Sequence, residues 1–552
     1  MEFDVIVVGS GAAGLTTAVV AAKKGLQVLV VEKAEEFGGT TAFSMGAPWI
    51  IANQHQKAMG LEDDADAGER YLRAALGNRY DPARAAAYIE SGAEMIDFLE
   101  ANTEVHWQGV PMPDYLPGLD GFSIGRTLLP KSYDGKRLGP YLRRIRRPLP
   151  GFSVFGGMQI GMLEIGNFTA TLKSPGAFIN TTKRLLEYGL DRLRFGRGAY
   201  LANGNALIGR LLRSALDAGV VLWSSAPAVN LVMEQGGVRG LVVRRDGAAL
   251  TVGARRGVVL ASGGFGANAA LRRKYIPMPE QHVNVQPVEN DGDGVRLGQE
   301  AGGRLGDTNP DNATWAPVST LRRRDGTTAR YPHFGPDRGK PGSIIVDATG
   351  RRFVDEASPY QSFVRAMHEA KIGKAYFIGN HQFLRSYGMG FALPSPYPIG
   401  FLVRLGYLIK APTLSALARK INIEPAILEA TVVEFNEHAR RGQDPQFGRG
   451  ANIYDNSQGD QAHKPNPNVG PVGAGPYYAV ALQPGDIGTT FGMDTNADAQ
   501  VLSGDGGVVR GLYAVGLDQN SVMRGEYPGG GSGIGPGMTF GYRAALRMVA
   551  AT

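Results

Sequence analysis

One stretch near the start leaves the chain little choice of architecture. Asp4-Val5-Ile6-Val7-Val8 is an unbroken apolar run, as a parallel strand buried on both faces requires, and it passes directly into Gly9-Ser10-Gly11-Ala12-Ala13-Gly14. A helical stretch, Leu15 to Lys24, follows, and then a second apolar run, Val28 to Val31, ending at Glu32. Strand, glycine turn, helix and strand in this order make a βαβ unit, so the chain is expected to be α/β. The glycines let backbone turn tightly and approach a pyrophosphate, whose charge the helix N-terminus stabilises. Glu32, about 20 residues past the first glycines, suits the ribose hydroxyls of an adenosine. A lone GxGxxG is weak, because glycine-rich turns are common. With both strands, the helix and the acid in place, it marks a dinucleotide site.

The chain has 552 residues, enough for a large core and two domains. Its 78 glycines are about twice ordinary usage, as expected where backbone wraps a large cofactor. Cysteine is absent, which excludes disulfides, thiolate metal sites and a cysteinyl-linked cofactor; no metal is expected. No basic segment with an apolar signal region precedes the first strand, so a cytoplasmic location is expected. The net charge of +7 raises nucleic acid as a partner. The basic residues instead cluster locally, as at Arg143, Arg144, Arg146 and Arg147, with no nucleic-acid fold around them. Solvated surface explains them, and so does contact with an anionic membrane, since the apolar Pro148 to Ile165 follows directly. A second apolar region, Phe391 to Ile409, is broken by Pro394, Pro396, Pro398 and Arg404. Neither has the ~20 unbroken apolar residues of a spanning helix.

Alternating strand and helix patterns are expected through the first third. Around 225 to 266 the pattern shifts to short apolar strands, Val229 to Met233, Gly240 to Val243 and Gly257 to Ala261, the last closed by Ser262-Gly263-Gly264-Phe265-Gly266. This reads as the antiparallel hairpin that returns to the parallel sheet in two-dinucleotide flavoproteins, or as an unrelated meander. Residues 281 to 482 carry no dinucleotide motif and include a helix pair, Leu414 to Lys420 and Glu424 to Arg441, with Pro425 in a first turn that tolerates it. Gly511 to Asp518 then reads as a buried strand ending in glycine and an acid, and Gly535-Pro536-Gly537-Met538-Thr539 opens a final helix. The expected organisation is thus a discontinuous two-dinucleotide-type Rossmann domain, residues 1–280 and 483–552, with an α+β catalytic domain, 281–482, inserted.

Gly38-Gly39-Thr40-Thr41-Ala42-Phe43-Ser44 with Trp49 resembles the flavin-contact segment of the fumarate reductase and 3-ketosteroid dehydrogenase superfamily. Three further segments sharpen the likeness: Met112-Pro113-Asp114-Tyr115, Arg352 through Tyr360 (RFVDEASPY), and Tyr527-Pro528-Gly529-Gly530-Gly531 are similar to the 3-ketosteroid Δ1-dehydrogenases. The resemblance implies non-covalent FAD, no histidine lying near Thr40 and Thr41, and desaturation of a steroid A ring between carbons 1 and 2, in steroid degradation. It assigns Tyr115, Tyr360, Tyr527 and Gly531 to catalysis. For the cofactor it points to Gly9, Gly11, Ala12, Ala13, Gly14, Glu32, Lys33, Gly39, Thr40, Thr41, Ser44, Val229, Ser262, Gly263, Gly516, Asp518, Gly535, Gly537 and Met538. The substrate partner it implies is a 3-ketosteroid; the electron acceptor stays open, a quinone or a dye being reasonable.

The chemistry gives these residue types a reason. Removing a proton next to a ketone puts negative charge on the carbonyl oxygen, which the Tyr527 hydroxyl and the Gly531 N–H are suited to stabilise; one such donor is worth on the order of 10²–10³ in rate. Tyr360 is the expected base. A free phenol has a pKa of about 10, so it needs help, which a hydrogen bond from Tyr115 supplies. Each tyrosine also has a plain structural reading, Tyr115 most of all, since its surroundings are short and loop-like.

The stretch from about 120 to 200 is longer than in compact members of the family and is expected to line the substrate entrance. Arg524 and Glu526 flank the catalytic turn and are expected to influence which ketone fits. Competing readings are a 3-oxo-5α-steroid 4-dehydrogenase or other cyclic-ketone desaturase, a fumarate-type ene-reductase, and a flavin or lipid binder without a reaction. Dicarboxylate chemistry is disfavoured because Gly530 to Pro536 lacks histidine and arginine.

Overall fold

The computed structural model describes residues 1–169, 171 and 174–551. The strand Glu2–Val8 lies in the middle of an eight-stranded sheet, with Val5, Ile6 and Val7 fully buried. It pairs in parallel with Val28–Val31 on one side and with the end of Ala248–Leu260 on the other. Val221–Trp223 extends the sheet beyond Val28–Val31, and Val508–Ala514 lies parallel to Ala248–Leu260, so both ends of the chain supply this sheet.

The antiparallel part forms as expected, but with longer strands. Ala228–Glu234, Gly237–Arg245 and Ala248–Leu260 follow one another as neighbours. Both links are two-residue turns with positive φ at each position, Gln235-Gly236 and Asp246-Gly247. That conformation matches the twist of the flanking strands.

The alternation expected through the first third stops at Val31. Between there and Val221 the chain runs through helices Ala65–Leu76 and Pro82–Asn102, small two-stranded ribbons and glycine- and proline-rich loops such as 109–125. Such loops cannot donate a regular ladder.

A second, seven-stranded sheet is organised around the long strand Tyr477–Thr489, flanked by Ala313–Arg322 and Ala375–Asn380, both antiparallel to it. That strand crosses residue 482, so the second sheet runs past the boundary read from sequence. Helices Leu414–Lys420 and Pro425–Ala439 cover its outer face through Leu417, Leu428, Val432 and Phe435, with Pro425 at the first helical position. The region Phe391 to Ile409 packs into the core of this half through Leu402, Tyr407 and Leu408, which accounts for its apolar character.

Helices Ala12–Lys23 and Ile534–Ala550 pack on the first sheet. A cavity of about 1030 Å³ lies between the sheets, walled by Val8, Ala261 and Gly516 on one side and by Thr314, Ile487 and Gly488 on the other. No helix among the described residues is long and apolar enough to cross a membrane. Helix Pro175–Phe195 nonetheless turns Phe178, Ile179, Leu186, Leu190 and Leu193 to solvent, Leu193 being 87% exposed.

Candidate active site

At one end of the cavity, glycine is required by contact as well as by conformation. Gly9 has φ +109°, and a Cβ there would lie 2.1 Å from the Ala261 carbonyl oxygen; at Gly14 it would lie 2.3 Å from that of Gly9. Gly11 faces open space, with Thr41 Oγ1 at 3.7 Å. It precedes helix Ala12–Lys23 without a capping side chain of its own. Ala12 N donates to Thr41 Oγ1 (3.1 Å), and the other N–H groups of the first turn need an acceptor from outside the helix. A helix start of this kind, bare and open to a cavity, fits a pyrophosphate.

Glu32 lines the same end, buried, and accepts from Ser10 N (3.1 Å) and Ala34 N (2.9 Å). Burial raises its pKa against the effect of these bonds. It therefore shapes the glycine turn as well as facing the cavity. Lys33 is tied to Asp291 and, at 3.0 Å, to Asp293. Thr40 Oγ1 accepts from Asn290 Nδ2 (2.8 Å), and Ser44 Oγ donates to the Thr41 carbonyl (2.8 Å). Gly9, Gly11, Ala12, Ala13, Glu32, Lys33, Gly39, Thr40, Thr41, Ser44, Ser262, Gly263, Gly516 and Gly537 all line the cavity.

Five residues expected at the cofactor stand behind the wall instead. Gly14 packs on the glycine turn. Val229 accepts from Arg296 Nη2 (3.1 Å) while its neighbour Ala228 reaches the cavity. Asp518 accepts from Gly264 N (2.8 Å) and Ser262 Oγ (3.1 Å), fixing the loop that does line it. A Cβ on Gly535 would meet the Trp49 carbonyl oxygen at 2.4 Å, and Met538 is wholly inside the core.

At the other end, three distant segments bring Tyr115, Tyr360 and Tyr527 together. Ring centroids are 5.5 Å apart for Tyr115 and Tyr360, 5.4 Å for Tyr360 and Tyr527, and 5.9 Å for Tyr115 and Tyr527. All three line the cavity, as does Gly531. Gly531 N donates to the Tyr527 hydroxyl (3.3 Å), so the two groups of that turn lie side by side.

The turn is held from several sides. Tyr115 N and the Tyr71 hydroxyl each donate to the Pro528 carbonyl (2.8 Å), and Thr127 Oγ1 donates to that of Gly530 (2.8 Å). Tyr115 follows Asp114, which accepts from Trp49 Nε1 (2.7 Å) and pairs with the buried Arg126 (2.8 Å). Tyr360 opens helix Tyr360–Glu369. The loop before it is anchored by Arg352, paired with Glu356 and Asp444 (both 2.7 Å), and by Arg338, which donates to the Glu356 (2.7 Å) and Ser358 (3.2 Å) carbonyls.

Burial pushes the pKa of all three phenols up. The positive end of the helix beneath Tyr360 acts in the opposite sense. Hydrogen bonds to the Tyr115 and Tyr527 hydroxyls push the Tyr360 pKa up further, the reverse of the help expected from Tyr115.

Several wall residues had no signal in the sequence. Tyr454, on the short helix Ile453–Gln458, lies 4.9 Å from Tyr115 ring to ring. Phe334, Ile487 and Lys340 also reach the cavity. Phe152, Phe155, Ile160, Met162, Ile165 and Leu185 line it too, so the long segment does border the space beside the tyrosines. Arg524 and Glu526 do not line it: Glu526 is paired with Arg79 (3.2 Å) and Arg365 (2.9 Å), and Arg524 approaches Asp81 (3.8 Å). Their charges are spent on holding the turn from behind.

The FAD binding domain family matches residues 4–534. The 4-oxocyclohex-2-ene-1-carboxylate 5-dehydrogenase of Sinomonas cyclohexanicum is 40% identical, over 98% of this chain and 92% of its own length. The 3-oxosteroid 1-dehydrogenase of Mycolicibacterium smegmatis is 35% identical, over 100% of this chain and 97% of its own. The crystal structure of 3-ketosteroid Δ1-dehydrogenase from Sterolibacterium denitrificans, in complex with 1,4-androstadiene-3,17-dione, superposes with a TM-score of 0.90 at 35% identity and covers both chains fully.

Proposed function

This chain belongs to the FAD binding domain family, and from that premise we propose that it is an FAD-dependent dehydrogenase of ring ketones, forming the double bond between carbons 1 and 2 of a 3-ketosteroid A ring. One observation carries the reading: three tyrosines and the Gly531 N–H converge on a cavity whose far end is the glycine turn of a dinucleotide site. We read the first sheet, assembled from both ends of the chain, as a two-dinucleotide-type Rossmann unit interrupted by the second.

The Tyr527 hydroxyl and Gly531 N–H grip the carbonyl oxygen and stabilise the charge that develops there. Tyr360 takes the proton from the neighbouring carbon. Burial and its bonds to Tyr115 and Tyr527 keep it neutral, so its proton has to be drawn off as substrate binds; the helix N-terminus stabilises the phenolate that results. Bound FAD supplies the acceptor for the hydride leaving the adjacent carbon. Gly9, Gly11, Ala12 and Ala13 would hold its pyrophosphate, Glu32 the ribose, and Thr40, Thr41 and Gly537 the ring region.

A second reading, a single-ring ketone bearing a carboxylate, is favoured by the 40% identity to the cyclohexenone carboxylate enzyme and by Lys340 in the cavity wall. The solvent-facing apolar stripe of Pro175–Phe195 carries Lys183 and Arg194 on the same helix and ends beside Arg143 and Arg147, which donate to the Phe195 and Gly196 carbonyls, an arrangement suited to an anionic membrane surface, from which an apolar substrate would enter. The test is to mix the yellow enzyme with a 3-ketosteroid without oxygen. Bleaching with a 1,2-unsaturated product is expected. A spectral shift without bleaching would mean a binder, and a 4,5-unsaturated product would refute the assigned position.

A further inference from the structure

We propose that Lys340 gives the cavity an anion-binding end that selects ring ketones carrying a carboxylate. The inference rests on ring-ketone desaturation and narrows its substrate.

Lys340 lines the same cavity as Tyr115, Tyr360 and Tyr454. Its Nζ donates to the Gly459 carbonyl (2.6 Å) just past helix Ile453–Gln458. No ion pair among the described residues includes it. The two carboxylates nearest in its field are otherwise engaged: Asp337 with His333 Nδ1 (2.6 Å) and Gly390 N (3.2 Å), Asp460 with the Tyr387 hydroxyl (2.7 Å). Burial without a full counter-charge pulls the Lys340 pKa down. An ammonium that keeps donors to spare at a cavity wall is a poor structural element and a good carboxylate site.

For 4-oxocyclohex-2-ene-1-carboxylate the step balances as follows. The proton on carbon 5 passes to Tyr360, and the hydride on carbon 6 reduces bound FAD. The carbon 5–carbon 6 double bond forms from the electron pair left behind. The dienone then moves its carbon 1 proton to the carbonyl oxygen and becomes 4-hydroxybenzoate. A reaction that reduces or hydrates an aromatic acid, or oxidises a saturated ring acid, would have to supply this substrate.

The experiment compares kcat/KM of the FAD-loaded enzyme for this acid and for its methyl ester, in the natural protein, Lys340→Met and Lys340→Arg. We expect the natural enzyme to prefer the acid, Lys340→Met to lower the acid-to-ester ratio by roughly 10- to 100-fold, chiefly through KM, and Lys340→Arg to restore part of it. Equal loss on acid and ester would make Lys340 a support for Gly459 and overturn the inference, as would a natural enzyme that prefers the ester. If a 3-ketosteroid bleaches the flavin and the acid does not, the anion site falls while the dehydrogenase stands. If no ring ketone bleaches it, the dehydrogenase reading falls and takes this one with it.

Discussion

At the scale of single residues, the site separates groups that touch the reacting atoms from groups that aim them. Tyr360→Phe removes only a hydroxyl from a packed aromatic cluster, so the fold and FAD binding should survive while the rate of anaerobic flavin reduction falls by about 10²–10⁴. Rapid-mixing absorbance measures this, and an unchanged rate would take the base role from Tyr360. Tyr527→Phe should weaken ketone binding and turnover together, because it deletes one of the two donors at the carbonyl; ligand titration beside turnover shows whether both move. Tyr527 and Gly531 were legible because Tyr527-Pro528-Gly529-Gly530-Gly531 compresses two donors into five residues. Tyr454 and Lys340 were not, because nothing local distinguishes a tyrosine or a lysine that only tertiary packing brings to a cavity.

At the scale of elements, the catalytic turn is a backbone device. Gly531 has φ +107°, and a Cβ there would lie 2.3 Å from the Ala47 carbonyl oxygen. Gly531→Ala should therefore cost about 1–3 kcal/mol of stability and dislodge the N–H that faces the ketone, readable as a lower Tm with lost turnover. The βαβ unit, the hairpin and the helix pair were all legible, because strand and helix periodicities and turn residues are local properties. The region between Val31 and Val221 was not, since its loops are stabilised by distant partners such as Arg126 with Asp63 and Asp114.

The exposed apolar surface was also placed differently. Sequence directed attention to Pro148 to Ile165, whereas the longest exposed stripe belongs to helix Pro175–Phe195, whose Leu186, Leu190 and Leu193 recur at helical spacing. The protein should cosediment with phosphatidylglycerol-rich vesicles at low salt. Leu190→Glu with Leu193→Glu should weaken that binding by roughly 10-fold or more and leave turnover of a water-soluble ketone intact. No sedimentation at low salt would refute it.

At the scale of the molecule, the cofactor cavity is shared by both sheets, so stability is linked to FAD. Stripping FAD should lower Tm, and restoring it at about 100 times its Kd should return about 2.7 kcal/mol; an unchanged Tm would mean that FAD does not bridge the two halves. A second global effect comes from His368, half-buried against His282 and Trp315 with Asp311 and Arg365 nearby. Burial, and then the His282 charge, lower its pKa from 6.5 to about 4. The folded state thus binds fewer protons than the unfolded one in that window. Stability is full above pH 6.5 and is lost as pH falls toward 4, with a slope from this group of up to about 1.4 kcal/mol per unit. Denaturation at stepped pH should show a shallower slope in His368→Gln.

The first sheet joins Glu2–Val8 to Ala248–Leu260, and that strand to Val508–Ala514, while Gly516 and Gly537 complete the cavity wall. A ribosome making this protein must therefore deliver almost every codon before the pocket can close around its coenzyme. Nascent chains cannot load early, and a C-terminal nonsense mutation should leave a colourless, protease-sensitive product rather than a weakened enzyme.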